Sequence, residues 1–408
     1  MTATREATPD FVELVLSPEF RTNPYPGWAA LRAADPVHWC DLGCYVITRY
    51  RDVSTLLRHP RTSVNLSNWD NYVDGSVRLG MNPTSSEQPL LSLDPPDHTR
   101  LRGLVSQVFT ARLVEGLAPR IQELVDGLLD ELARAEGPVD VAGDRFAYPI
   151  PVTIICELLG VPAEEVEVWS EWSEALAHTA DPAILRSPAQ ERAIADAIEQ
   201  FAAYFKDLIR QRRSNLGDDL LSGLLRVSED GERITRKELA ALVLFLLTAG
   251  HETTVNFITN GIMALLAHPN ELRRLRDDPT IEVRATEELL RYDGPVQFAI
   301  RVCLDDIELD DATLPAGSLV VAALGAASRD PESYTDPDRL DLGRAEKRVL
   351  AFGGGIHFCL GAPLARLQGR IAITSLVRRF PNLALAGDVA PRDTFNLRGL
   401  SRLPLALR

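Results

Sequence analysis

The longest uninterrupted helical pattern in the chain, Arg236 to His268, most narrows what it can fold into. Its apolar residues recur at helical spacing for roughly twice the length of a mean globular helix or more. The same spacing fills Leu113 to Ala135, Val152 to Leu159, Ala163 to Ala180 and, past a break at Asp181-Pro182, Ala189 to Arg213. These stretches predict a mainly α fold, helical over about 97–293 and 360–379. Alternating β-branched residues predict small β-sheets over about 37–50, 296–323 and 382–408, the first a hairpin around Asp41-Leu42-Gly43. The 408 residues would suffice for two or three average domains, yet no Gly/Ser-rich linker, charge block or repeat divides them. A single large domain over 1–408 is expected.

In the middle of the long helix stands Ala249-Gly250-His251-Glu252-Thr253-Thr254. Glycine and threonine weaken a helix, and a threonine hydroxyl competes for a backbone carbonyl, so a local groove is expected. Ala249 and Thr253 share a face, and Ala249 with Gly250 leaves room above a planar ligand. A packing kink between helices would use the same residues. His251-Glu252 also begins the His-Glu-x-x-His motif of zinc proteases, but residue 255 is valine, which removes the second ligand.

A second constellation, Phe352-Gly353-Gly354-Gly355-Ile356-His357-Phe358-Cys359-Leu360-Gly361, sets one cysteine in a glycine-rich turn ahead of an amphipathic helix. Free N–H groups at a helix N-terminus favour a thiolate, and the glycines permit positive φ and the close approach of a flat ligand. A loop around a structural cysteine is the plainer reading of Gly-Gly-Gly alone. Phe352 seven residues before the cysteine, His357 two before it and Gly361 two after it weigh against that reading.

The pattern Phe-x-x-Gly-x-x-x-Cys-x-Gly, filled by Phe352, Gly355, Cys359 and Gly361, resembles the cysteine-ligand loop of the cytochrome P-450 superfamily of haem-thiolate monooxygenases. Ala362-Pro363-Leu364-Ala365-Arg366 is similar to its soluble bacterial branch, and Ala249-Gly250-x-Glu252-Thr253 to its oxygen-binding motif. Glu288-x-x-Arg291 resembles the family's Glu-x-x-Arg pair, while Glu131/Arg134 and Glu271/Arg274 repeat the spacing as ordinary surface pairs. His98-x-x-x-Arg102, after Asp94-Pro95-Pro96, stands where relatives hold a haem propionate.

The resemblance implies the cytochrome P-450 fold and haem b (heme b, iron protoporphyrin IX) as cofactor, with Cys359 as the iron ligand. By the same resemblance His98, Arg102, Arg301 and His357 would offset the propionates, with Ala249, Gly250, Phe352 and Gly361 against the haem. Glu252 and Thr253 would deliver protons to dioxygen. Glu288, Arg291 and Arg339 would form a buried network under the cysteine loop. Phe245, Thr248 and Ala249 on the long helix, Val296, Gln297 and Ala299 after it, and Phe395 in a late turn would wall the pocket. The break at Asp181 would hinge its roof, and the polar stretch from Thr62 to Pro89 reads as a lid or a mobile surface loop.

A net charge of −15 argues against nucleic acid as a partner, since phosphate binding needs a basic face. Arg344, Lys347, Arg348, Arg366 and Arg370 nonetheless crowd around the cysteine in sequence. Cys359 lies too near Arg408 for a reductase module behind it, so a small acidic ferredoxin with its ferredoxin reductase is the expected electron source. O2 and a small lipophilic substrate (a steroid, terpenoid or macrolide, or else a carrier-bound amino acid) complete the expected partners. A non-catalytic haem-thiolate sensor is the rival, and the presence of Glu252 and Thr253 counts against it. The first ten residues hold no apolar segment, the run Leu242 to Leu247 is too short for a bilayer, and the five cysteines are scattered. A cytosolic monomer without membrane insertion is expected.

Overall fold

The computed structural model describes residues 11–72, 90–162, 165, 172, 175–181, 186–217, 219–229, 234–346 and 349–407. Its helices that bear on function are α1 (Tyr25–Ala34), α2 (Asp97–Val108), α3 (Ala118–Ala133), α4 (Pro149–Leu159), α5 (Pro188–Ser214), α6 (Arg236–Ala267), α7 (Glu282–Tyr292) and α8 (Ala362–Arg379). The main sheet has β1 (Val37–Cys40), β2 (Cys44–Ile47), β3 (Thr62–Ser63), β4 (Phe298–Cys303) and β5 (Leu319–Ala323) in the order β1-β2-β5-β4-β3.

Helix α6 is the axis. Thr235 starts it with a capping box: its hydroxyl accepts the Glu238 N–H at 3.1 Å, and the Glu238 carboxylate accepts the Thr235 N–H at 2.7 Å. The helix then runs unbroken for 32 residues and stops before Pro269. It is apolar and long enough to cross a membrane, which the short run 242–247 does not reveal. Here α4, α7 and α8 cover it, so its apolar residues are core. Gly369 of α8 leaves space that the Phe257 ring of α6 fills, which locks the two motif-bearing helices side by side.

The hairpin forms as expected, with Gly43 at φ 84° in the turn and Cys40 opposite Cys44; both cysteines are buried and outside any disulfide. The pattern from Leu113 to Ala135 is in fact two helices, Ala111–Gly116 and α3. Thr110 caps the first, and Pro119, lacking an N–H, has to sit in a fresh first turn. Most of 163–174, Pro182, the lid stretch 73–89, Lys347 and Arg348 lie outside the described residues.

Candidate active site

The cysteine loop is built by two left-handed glycines, Gly353 at φ 71° and Gly355 at φ 68°. A side chain at Gly355 would collide with the Leu57 carbonyl, so the loop lies directly on the helix Tyr50–Arg58. Gly354 and Gly361 are not left-handed, contrary to expectation; Gly361 caps α8, and any Cβ on it would stand 3.9 Å from the Cys359 Sγ. The Cys359 N–H donates to the Phe352 carbonyl at 3.0 Å, which closes the loop. Of the five cysteines only Cys359 is exposed. Burial within the loop pushes its thiol up, while N–H groups of Gly361 and Ala362 and the cations Arg102 and Arg366 pull it back toward thiolate. The Arg366 guanidinium sits 4.4 Å from the centre of the Phe352 ring and forks onto Glu287.

Beside the thiol lies a nitrogen-rich cradle. His98 is 2% exposed, and neither of its ring nitrogens has a hydrogen-bond partner among the described residues. Its ring is 4.2 Å from that of His357. Burial, with His98 and Arg301 adding their charges, pulls His357 down to about 3. Arg301, on β4, is buried, donates among the described residues only to its neighbour's carbonyl (Ile300, 2.8 Å) and is pulled down to about 10 by burial. Arg102 reaches the loop from α2 through the Phe358 carbonyl at 2.6 Å. The carboxylate acting on this cluster is Asp94, already occupied by the Ser63 hydroxyl and the Val64 N–H. Burying this many donors costs free energy unless an anion meets them. A flat ligand carrying two carboxylates supplies that anion, so the residues fit haem.

Above this cradle, α6 departs from regular packing. Ala249 is exposed although it lies in the middle of the central helix, and Phe245, Thr248 and Thr253 are half-buried, so the helix faces an open cavity there. The Thr253 hydroxyl donates to the Ala249 carbonyl at 3.3 Å and the Thr248 hydroxyl to Leu244 at 2.7 Å. Gly250 does not face that space: a Cβ there would meet Ile155 at 3.1 Å. Its missing side chain serves the contact with α4, which corrects its assignment to the planar ligand.

Glu252 turns away from the cavity as well. It is 2% exposed and pairs at 2.8 Å with Arg392, a residue the sequence reading missed because it lies 140 positions on in a region without a motif (392 − 252). His251 beside it is fully buried, donates to the Leu247 carbonyl, and is held neutral by burial.

The Glu288 and Arg291 pair is a closed network. Arg291 spends all five of its donors: two on Glu288 at 2.7 and 2.8 Å, the others on the carbonyls of Ser328, Pro337 and Arg339. The third side chain is Arg344, at 3.1 Å from both Glu288 oxygens, and not Arg339, which is exposed and lends only its carbonyl. Arg344 and Arg366 are thus committed internally, which thins the basic patch expected around the cysteine. Nor is Glu271/Arg274 an ordinary surface pair, because Glu271 accepts the Leu342 N–H and Arg274 reaches Asp341.

Of the expected pocket wall on and just before β4, Val296 and Ala299 are half-buried. Gln297 is buried and bonded to Trp28 and the Gly294 carbonyl. Phe395 packs edge-on against Phe298, 4.9 Å between centres, and borders a crevice with Phe20 and Pro24. Both stand in the layer between the sheet and the N-terminal helices and support the wall from behind, a correction to their assignment.

The cytochrome P450 family model matches residues 66–280 and 283–407. The vitamin D(3) 25-hydroxylase of Pseudonocardia autotrophica is 44% identical over 96% of this chain and 96% of its own. The cytochrome P450 monooxygenase PikC of Streptomyces venezuelae is 41% identical over 98% of this chain and 95% of its own. The structure of Mycobacterium smegmatis CYP164A2 with econazole bound superposes with a TM-score of 0.87 at 38% identity, over 97% of this chain and 98% of that one. With its motifs in family order on the family's fold, this chain belongs to the cytochrome P450 family.

Proposed function

We propose that the enzyme inserts one oxygen atom of O2 into a bulky lipophilic substrate, using haem b and electrons from an external ferredoxin. The observation that carries this reading is the exposed Cys359 thiol beside a cradle of His98, His357 and Arg301 whose one nearby carboxylate, Asp94, is already taken by Ser63 and Val64. Bound there, haem supplies the activation of dioxygen. Cys359 would hold its iron, and His98, Arg102, Arg301 and His357 its propionates.

Protons are the protein's part. Consecutive helical side chains diverge by about 100°, so Thr253 looks toward Ala249 and the cavity while Glu252 looks toward Arg392. Solvent would reach Glu252 beside Arg392, which is 19% exposed, and Glu252, swinging from Arg392 toward the cavity, would pass the proton to the Thr253 hydroxyl. Glu252→Gln is expected to lower substrate oxidation about 100-fold, with ligand binding unchanged. Arg392→Ala should follow it in the same direction. Coupled product formation against O2 consumption checks both, and parent-like coupling in Glu252→Gln would reject the route.

The half-open apolar residues around Ala249 and Val296 suit a lipophilic molecule, and two relatives are named a vitamin D(3) 25-hydroxylase and a 6-deoxyerythronolide B hydroxylase. Ferredoxin would dock at the cysteine face, where Arg58 packs on Gly354 and Ile356 and Phe358 are exposed. Five cysteines outside any disulfide agree with a cytoplasmic site of action. The test has two arms: a spin-state shift of the Soret band on titration with a secosteroid, a macrolide and a long-chain fatty acid, and the rate of reduction by ferredoxin as salt rises. No shift with any of the three removes the substrate class. A rate insensitive to salt removes electrostatic docking.

A further inference from the structure

Asp181 ends the short helical turn His178–Ala180, far in sequence from the C-terminal hairpin, and is 7% exposed. Its Oδ1 accepts two backbone N–H groups of that hairpin's turn, from Phe395 at 2.7 Å and from Asn396 at 2.9 Å. Asn396 continues the chain of contacts into the sheet. Its carbonyl accepts the Gln297 N–H at 3.1 Å, and its side-chain Oδ1 accepts the Phe298 N–H, also at 3.1 Å. On its other side Asp181 is fixed by Arg186, which donates to its carbonyl at 2.7 and 3.2 Å, and by His178, with Nδ1 3.6 Å from Oδ2.

One buried carboxylate and the Asn396 side chain next to it therefore join three segments far apart in sequence: the end of the helical turn at 181, the turn at 395–396 and the start of β4. Burying a carboxylate is costly, and two backbone amides with a distant histidine recover only part of that cost. A backbone carbonyl would satisfy the same amides more cheaply if closing a local turn were all that was needed. The cost is explained if the position of the turn relative to β4 matters, because Ala299 lies on β4 and Val296, bridged to Leu397, just before it.

Resting on the reading that this cavity takes a lipophilic substrate, we infer that Asp181 is a positioning residue that sets the pocket wall on β4 and so the size and shape of substrate accepted. It touches no reacting atom. It acts through the Phe395–Asn396 turn, which it clamps against the strand.

The experiment compares Asp181→Ala, which removes the acceptor, with Asp181→Asn, which retains an oxygen for both amides. Econazole, bulky enough to meet the wall, and imidazole, too small to do so, serve as probes in Soret titrations. Asp181→Ala is expected to bind econazole about tenfold more weakly and imidazole as the parent does, with Asp181→Asn within about twofold of the parent for both. Amide exchange at Phe395 and Asn396 should accelerate about tenfold or more in Asp181→Ala, a readout that needs no haem. Asn396→Ala, which breaks the next link, should reproduce the econazole-selective loss and stands in if Asp181→Ala does not fold. Parent-like econazole binding in both alanine variants overturns the inference, as does equal weakening of econazole and imidazole, which would place the damage at the iron. A parent protein without a Soret band defeats the haem reading itself; parent-like amide exchange in Asp181→Ala would then overturn the anchoring too, and accelerated exchange would uphold it.

Discussion

Cys359→Ala is expected to abolish the red-shifted Soret band of the reduced, carbon-monoxide-treated protein, the signature of a thiolate on haem iron. No other cysteine can replace it. Cys40, Cys44, Cys156 and Cys303 are buried, and burial pushes the Cys303 thiol to about 11 and the Cys156 thiol to about 12, so neither presents a thiolate near neutral pH. The substitution removes one sulfur from a loop held by its own backbone, the Cys359 N–H to Phe352 and the Ala365 N–H to Gly361, so the fold should survive. A thiolate-type band that persisted in Cys359→Ala would end the assignment, and the same substitution at Cys303 provides the control.

The second large effect is on stability. Arg291→Ala should cost about 3–5 kcal/mol, because it strips the two-bond fork from the buried Glu288 carboxylate and leaves the Ser328 and Pro337 carbonyls without their donor. Arg344 would still face Glu288 at 3.1 Å, but it is already bonded to the carbonyls of Thr335, Asp336 and Arg339. Arg291→Lys should rescue little, since an ammonium cannot reproduce a planar fork that uses five donors. Arg339→Ala should lie near the parent, because only its main chain takes part. Chemical denaturation of the four proteins checks the ranking; an Arg339→Ala as damaging as Arg291→Ala would refute the network described.

Much of this was legible before any coordinates. The period of 3.6 in Arg236 to His268, the turn at Asp41-Leu42-Gly43 and the glycines before Cys359 are local signals, and local signals survive in sequence because they act within a turn or two of helix. Cys359 in its turn, Glu288 beside Arg291 and the buried His98 belong to motifs of the same short range. The errors came where a side chain answers to a neighbour far along the chain. Gly250 looked like space for a ligand until Ile155 was found across from it. Gln297 and Phe395 looked like pocket wall until Trp28 and Phe298 claimed them.

The local pattern of the chain thus carried the helical architecture, the glycine-rich turn around Cys359 and the family, with the reaction class that goes with it. Tertiary structure alone decided the partners of each charge: Arg344 in place of Arg339 beside Glu288, Arg392 opposite Glu252, and Asp181 under the Phe395 turn. The physical reason is that a buried charge is stabilised only by groups within a few ångströms. Those groups are delivered by chain segments whose separation in sequence leaves no periodic or motif trace.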